Sequence, residues 1–163
     1  MFEEGARLKS ELGAENVFDF SLGNPDLPPP DSFKTALKEA TEEDAPHVHS
    51  YMPNAGFYTT RKAIARMVSQ EQGVSVPLEN IIMTTGAGGA LNVALKAILD
   101  PGDEVIVLSP FFVEYNFYID NHGGIPVKVE TNEDFSLDFD AIEKAIKEKT
   151  KAIIINSPNN PTG

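Results

Sequence analysis

The feature that most constrains the fold of this chain is a regular alternation of apolar strands and amphipathic helices after Gly56. Val105–Leu108 is an unbroken apolar run, typical of a strand buried on both faces of a sheet. Further strands are predicted at 81–83, 125–129 and 152–155, and helices at 57–72, 90–99, 113–121 and 141–146. The pattern predicts an α/β fold with a mostly parallel sheet, right-handed crossovers and helices on both faces.

The first part of the chain is less regular. Phe2–Leu12 is a short amphipathic segment, and Asp31 and Ser32 are expected to cap a helix that follows them. The turn-forming residues of Tyr51–Gly56 separate this part from the alternating region. We therefore predict an N-terminal arm at residues 1–46 and a sheet domain at 47–163.

Composition excludes several classes of function. The chain has 25 acidic and 13 basic residues, a formal net charge of -12, which opposes binding to nucleic acid or to an anionic membrane surface. It has no cysteine, which excludes disulfides, thiolate metal sites and cysteine nucleophiles. His47 and His49 have no third ligand nearby, so no metal site is expected. No apolar run is long enough to cross a bilayer, and we expect a cytoplasmic protein.

A loop of small residues, Thr84–Gly89, follows the first predicted strand and opens a helix. Ligands of open α/β sheets bind beyond the carboxyl ends of the strands, and backbone N–H groups at a helix N-terminus favour a phosphate there. Close strand–helix packing explains the small residues of this loop equally well. The loop lacks the lysine of a P-loop, and Leu91 stands where a dinucleotide fingerprint needs glycine. A phosphate-bearing ligand other than a nucleotide is the better hypothesis.

Two other segments follow predicted strands. Ser109–Phe112 brings an aromatic pair to the sheet edge, where Phe112 either packs in the core or forms a flat wall for a ring. Asn156–Gly163 is a rigid polar turn rich in asparagine and proline. An asparagine side chain held in this turn can donate to a ligand oxygen, whereas a plain surface turn is the alternative.

Considered together, these segments resemble a known family, the class I/II aminotransferases, which are fold type I pyridoxal-phosphate enzymes related to aspartate aminotransferase. The motifs occur in the order of that family and cover nearly all of the chain. They are Ser157–Gly163, Asp100–Val105 with Pro110 and Phe112 beyond it, Thr85–Gly88, and Tyr51 followed by Pro53 and Gly56. The resemblance implies that residues 1–46 belong to the small domain and that 47–163 form the N-terminal half of the large cofactor domain.

The resemblance also implies roles for individual residues. The backbone at Gly86, Ala87 and Gly88 would hold the phosphate of pyridoxal 5'-phosphate. Phe112 would stack on the pyridine ring of the cofactor, and Asn160 would hydrogen-bond its ring hydroxyl oxygen. Many members have cis bonds before the prolines matching Pro110 and Pro161, so both are expected to be cis.

Two further roles involve the N-terminal part and a partner. Tyr51 would reach the phosphate of the neighbouring subunit in a homodimer, and Gly23 would lie against the substrate. Arg61 is expected either to pair with an acidic group at the dimer interface or to be an exposed helix arginine.

The family reaction moves an amino group between an L-amino acid and a 2-oxo acid. The lysine that binds the cofactor, the aspartate that pairs with its ring nitrogen and the arginine that binds the substrate lie beyond this segment in the family. No catalytic residue is therefore assigned, and the chain is expected to be an N-terminal part that is inactive alone. The alternatives are another fold type I enzyme, such as a β-lyase, and a non-catalytic chain.

Overall fold

The computed structural model describes residues 2–18, 23, 25, 27–46 and 48–163. By its internal contacts the chain divides into two compact units, residues 1–51 and 52–163. The boundary predicted after residue 46, and the assignment of each part to a small or large domain, remain predictions. Within the described part of the chain, no helix is both long and apolar enough to span a bilayer.

The first unit contains helix α1 (Phe2–Leu12), a 3-10 helix (Ala14–Asn16) and helix α2 (Asp31–Glu42). The prediction that Asp31 and Ser32 cap α2 is wrong, because the helix begins at Asp31 and no side chain caps it. Pro30 occupies the N-cap position, and its carbonyl accepts hydrogen bonds from the first turn. Proline serves here because its ring fixes φ, which is -53° at this residue.

The second unit is an α/β structure whose elements follow each other in regular order. They are α3 (Tyr58–Gln72), a 3-10 helix (Leu78–Asn80), α4 (Gly86–Ile98), β1 (Glu104–Ser109), α5 (Glu114–Asp120), β2 (Ile125–Glu130), α6 (Phe139–Ala145) and β3 (Thr150–Ile154). The helices and the last three strands confirm the predictions from periodicity. Helix α3 ends as predicted at Gly73, which has a left-handed φ of 66°.

The three strands form a parallel sheet in the order β2-β1-β3. In the register, Ile106 of β1 lies opposite Val127 of β2 and Ile153 of β3. The crossover through α5 and the crossover through α6 run in opposite directions across the sheet. Because both are right-handed by the general rule, they place α5 and α6 on opposite faces, in agreement with the predicted α/β class.

The core lies between β1 and the helices α4 and α5. Val105 and Val107 point to one face of β1 and Ile106 to the other, and all three side chains are fully buried. The side chains that pack with Val105 and Val107 come from the two helices and from the residue that follows α4: Leu95, Leu99, Tyr115 and Ile119. Burial of β1 on both faces explains its unbroken apolar sequence.

The strand predicted at 81–83 is not formed. Ile82 is 61% exposed, and Met83 donates its N–H to the carbonyl of Ala55 over 3.0 Å rather than to a strand. A strand requires a neighbouring backbone to pair with, and no strand of the described residues lies beside this segment. Apolar character alone was therefore an insufficient signal.

Candidate functional site

Two of the predicted segments leave the sheet at the same edge. Pro110–Phe112 follows the carboxyl end of β1, and Asn156–Gly163 follows the carboxyl end of β3. Because β1 and β3 are parallel neighbours, these carboxyl ends lie side by side. This is the edge at which a ligand site is expected in an open α/β sheet.

The start of α4 lies toward the same edge. Helix α4 has 13 residues, or about 20 Å of length, and a short turn, 99–103, joins its end to the start of β1. The six residues of β1 also span about 20 Å. Because Leu95 and Leu99 share a core cluster with Val105 and Val107 of β1, we expect the first turn of α4 to lie toward the carboxyl end of this strand.

The first turn of α4 is open and built of small residues. Gly86 has a φ of +68°, which favours glycine, and its N–H contacts the carbonyl of Thr84 at 3.0 Å. Thr85 makes no side-chain cap, and Ala87 is exposed. The N–H groups of a first helical turn have no intrahelical partner and carry a partial positive charge, so this turn can bind an anion.

Phe112 lies exposed at the sheet edge beside a buried tyrosine. The residue is 36% exposed, and its ring meets Tyr115 edge-to-face, with the centroids 5.7 Å apart. Phe111 stacks on the same tyrosine at 6.4 Å and packs against the core. Phe111 therefore serves packing, while part of the Phe112 ring remains available for a flat ligand.

The turn after β3 is fastened by an asparagine that sequence reasoning did not single out. Asn159 Nδ2 donates to the carbonyl of Pro110 over 3.0 Å and to Thr162 Oγ1 over 2.8 Å. Asn160, the residue predicted to contact a cofactor, is exposed beside it. The peptide bonds before Pro110 and Pro161 are cis, as expected, and the bond before Pro158 is also cis, which was not predicted.

Helix α5 lies against the first turn of α4. A Cβ on Gly88 would come within 3.0 Å of the hydroxyl of Tyr118. Asn92 Nδ2 donates to the carbonyl of Gly88 over 2.9 Å, and Asn92 Oδ1 lies 3.2 Å from His122 Nε2. Tyr118 and Asn92 carry no recognisable sequence signal, because each is an ordinary helix residue until the two helices are brought together.

Arg61 is not an exposed helix arginine, and the pairing with an acidic group at a dimer interface remains a prediction. Its side chain is partly buried, with Nε donating to the carbonyl of Ile81 over 2.7 Å and Nη2 to that of Leu78 over 2.9 Å. Arg61 thereby anchors the segment that leads into the loop before α4. Sequence reasoning missed this role because the bonded carbonyls lie 17 and 20 residues away.

A cavity of about 500 Å³ opens at the carboxyl end of β1. Its walls come from Leu108 and Phe111, the segment Asp134–Leu137 after β2, and the turn after β3. Asp134 lies in this wall, and two hydrogen bonds from Ser136 lower the pKa of its carboxyl. The bond from the Ser136 hydroxyl is the larger cause and the bond from its N–H the smaller. The first turn of α4, Phe112 and Asn160 do not line this cavity.

Tyr51 and Gly23 belong to the first compact unit, in which both are exposed. Leu22 and Asn24 beside Gly23, and His47, lie outside the described residues. The roles predicted for Tyr51 and Gly23 remain predictions. In the described part of the chain, no group of three or more histidine, aspartate or glutamate side chains could hold a metal ion.

Comparison with known proteins decides the family. Residues 15–163 match the family described as aminotransferase class I and II. The chain belongs to this family. An aspartate/prephenate aminotransferase of Thermus thermophilus is 43% identical to this chain over 145 residues, which is 88% of the chain. A putative aminotransferase of Bacillus subtilis is 40% identical over 98% of the chain.

Solved aminotransferase structures share the fold. A crystal structure of an amino transferase from Eubacterium rectale superimposes with a TM-score of 0.89 at 37% identity, covering 98% of this chain and 41% of that one. An aspartate aminotransferase of Thermus thermophilus gives a TM-score of 0.84 at 39% identity, over 99% and 42%. The chain spans about two fifths of the length of these proteins, and 37% and 42% of the two relatives above.

Proposed function

We propose that this chain forms part of a pyridoxal-phosphate-dependent aminotransferase, which moves an amino group between an L-amino acid and a 2-oxo acid. The observation that carries the proposal is the family match over residues 15–163, because it includes all of the segments that meet at the sheet edge. The relatives named above are aminotransferases, some of them for aspartate or prephenate. Our proposal specifies the class of reaction and leaves the amino acid open.

The first turn of α4 fits the phosphate of the cofactor. Gly86 enters the helix with a φ of +68°, and Gly88 has no side chain over the first-turn N–H groups. Ala87 is exposed, so a bound group can approach the backbone closely. A doubly charged phosphate is stabilised there by several backbone N–H donors and by the helix dipole.

The loops after β1 and β3 fit a flat, polar ring. Phe112 offers an exposed aromatic face, and Asn160 offers an exposed amide that can donate to a ring hydroxyl oxygen. When bound, pyridoxal phosphate supplies an electron sink for the electrons left when a proton leaves the substrate Cα. In our proposal the residues of this chain bind and orient that group, and none of them moves the proton.

The N-terminal unit has a proposed part in a homodimer. Tyr51 is exposed, which leaves its hydroxyl accessible to a phosphate of the neighbouring subunit. Gly23 is exposed, and among the described residues no atom lies within 4 Å of the position of a Cβ, which suits a residue that lies against a substrate. The absence of cysteine is compatible with the cytoplasm, which we propose as the location.

Calorimetry tests the cofactor, and product analysis tests the reaction. We expect this chain to bind pyridoxal phosphate, and we expect borohydride to fix no cofactor on its lysines. For the whole protein, the test is the exchange of an isotope-labelled amino group between an L-amino acid and a 2-oxo acid. Steady exchange supports transamination, whereas release of ammonia and pyruvate would show a β-lyase instead.

A further inference from the structure

Tyr118 lies beside the turn that is proposed to hold the cofactor phosphate. We propose that its hydroxyl donates a hydrogen bond to that phosphate and is therefore a further binding residue. The inference rests on the proposed function, because it concerns the same bound group. No motif contains Tyr118, so its position in the fold is the reason to consider it.

The geometry places the hydroxyl of Tyr118 beside the first turn of α4. It lies 3.0 Å from the position that a Cβ on Gly88 would occupy. Gly88 is the third residue of α4, so the hydroxyl lies beside the first turn of this helix. Any side chain at position 88 would compete for this space, and glycine leaves it open.

The hydroxyl is also available to donate. Tyr118 is half-buried, and within the described part of the chain its hydroxyl has no hydrogen-bond partner. A phenol carries one O–H donor, and a partly buried donor is stabilised by a partner, most of all by a charged one. A phosphate at the first turn of α4 would supply such an acceptor.

The two helices are held together firmly enough to keep this arrangement. On α5, Ile119 is fully buried in the core beside Tyr118. Asn92 of α4 joins the carbonyl of Gly88 to His122 at the end of α5, through contacts of 2.9 and 3.2 Å. The backbone of Tyr118 is therefore held beside α4 before any ligand binds, which reduces the entropic cost of using its side chain.

The test measures, by calorimetry, the affinity of the protein and of Tyr118→Phe for two ligands. These are pyridoxal phosphate and pyridoxal, which lacks the phosphate. A hydrogen bond to a charged acceptor predicts that the variant loses about tenfold to a hundredfold in affinity for pyridoxal phosphate. Its affinity for pyridoxal should stay the same. Tyr58→Phe is the matched control, because Tyr58 is an exposed tyrosine on α3 and the change again removes only a hydroxyl.

Gly88→Ala is a second variant, which keeps the test decisive if Tyr118→Phe does not fold. The new Cβ would lie 3.0 Å from the Tyr118 hydroxyl and displace it, while alanine suits the helix. We expect Gly88→Ala to weaken pyridoxal phosphate binding in the native background and much less in the Tyr118→Phe background.

The results distinguish failure of the role proposed for Tyr118 from failure of the proposed function. Equal affinities of the protein and of Tyr118→Phe for pyridoxal phosphate would overturn the role of Tyr118 and leave the proposed function intact. An equal loss for pyridoxal would also overturn it, because Tyr118 would then shape the site without contacting the phosphate. If the unaltered protein binds no pyridoxal phosphate, the proposed function fails as well.

Discussion

Asn159 donates a hydrogen bond from Nδ2 to the carbonyl of Pro110, across 3.0 Å and between two loops far apart in the sequence. The same amide reaches Thr162 Oγ1 over 2.8 Å. Asn159 directly precedes Asn160, and Pro110 lies two residues before Phe112. One side chain therefore ties together the two segments that are proposed to face the cofactor ring.

Asn159→Asp keeps the shape of the side chain and removes both donors. It leaves the carbonyl of Pro110 facing a carboxylate oxygen, and we expect a loss of about 1–3 kcal/mol in the free energy of unfolding. Hydrogen exchange at 109–113 and 159–163 should accelerate. Asn132→Asp is the control, because Asn132 also donates twice, to Ser136 Oγ and the carbonyl of Leu137, but within one exposed loop. Equal effects of the two variants would show that the Asn159 bridge contributes nothing special.

Gly56→Ala should destabilise the chain far more than Gly73→Ala. Gly56 is buried with a φ of +99°, and a Cβ there would lie 2.7 Å from Met83 Cγ. Gly73 also has a positive φ, 66°, but in the described part of the chain nothing lies within 4 Å of a Cβ at that position. We expect losses of about 2–4 kcal/mol for Gly56→Ala, from strain and overpacking, and about 1 kcal/mol for Gly73→Ala. Urea denaturation measures both, and similar losses would contradict the close contact with Met83.

The sequence was sufficient for the elements whose signal is local. Helix α4 and strand β1 were predicted because their periodicity is set by residues close together in the chain. The prediction of a strand at 81–83 is wrong because a strand needs a neighbouring strand to pair with. Three apolar residues do not specify such a neighbour. Arg61, Asn159 and Tyr118 were missed for a similar reason. Their partners lie in other elements, so their contacts exist only once the fold is formed.

Arg61→Met tests whether Arg61 holds the segment that leads into the loop before α4. The change keeps an apolar stem but removes the donor to the carbonyl of Ile81 and one of the two donors to the carbonyl of Leu78, which keeps the N–H of Ile81. We expect a loss of about 2–3 kcal/mol in the free energy of unfolding and faster hydrogen exchange at 81–84. Arg66→Met, at an exposed position of the same helix, should stay within about 0.5 kcal/mol of the native value. If exchange at 81–84 does not change in Arg61→Met, the arginine does not hold that segment.

We expect the buried Tyr115 to make the free energy of unfolding depend on pH in the alkaline range. Tyr115 is 8% exposed, and burial is the larger cause of its raised pKa. The charge of an ionised Tyr118 nearby is the smaller cause. The folded state thus favours the neutral phenol, whereas the unfolded chain ionises it near pH 10. The resulting stability is fully present below about pH 10 and is lost as the pH rises through the folded-state pKa.

Denaturation at increasing pH tests this dependence on Tyr115. Above about pH 10, the free energy of unfolding should fall by up to about 1.4 kcal/mol more per pH unit in the native chain than in Tyr115→Phe. Tyr58→Phe removes an exposed phenol and should keep the native slope. Since the two variants lose the same chemical group, a difference between their slopes can come only from the surroundings of Tyr115. Parallel curves for all three proteins would mean that the buried phenol ionises as readily in the folded chain as in the unfolded one.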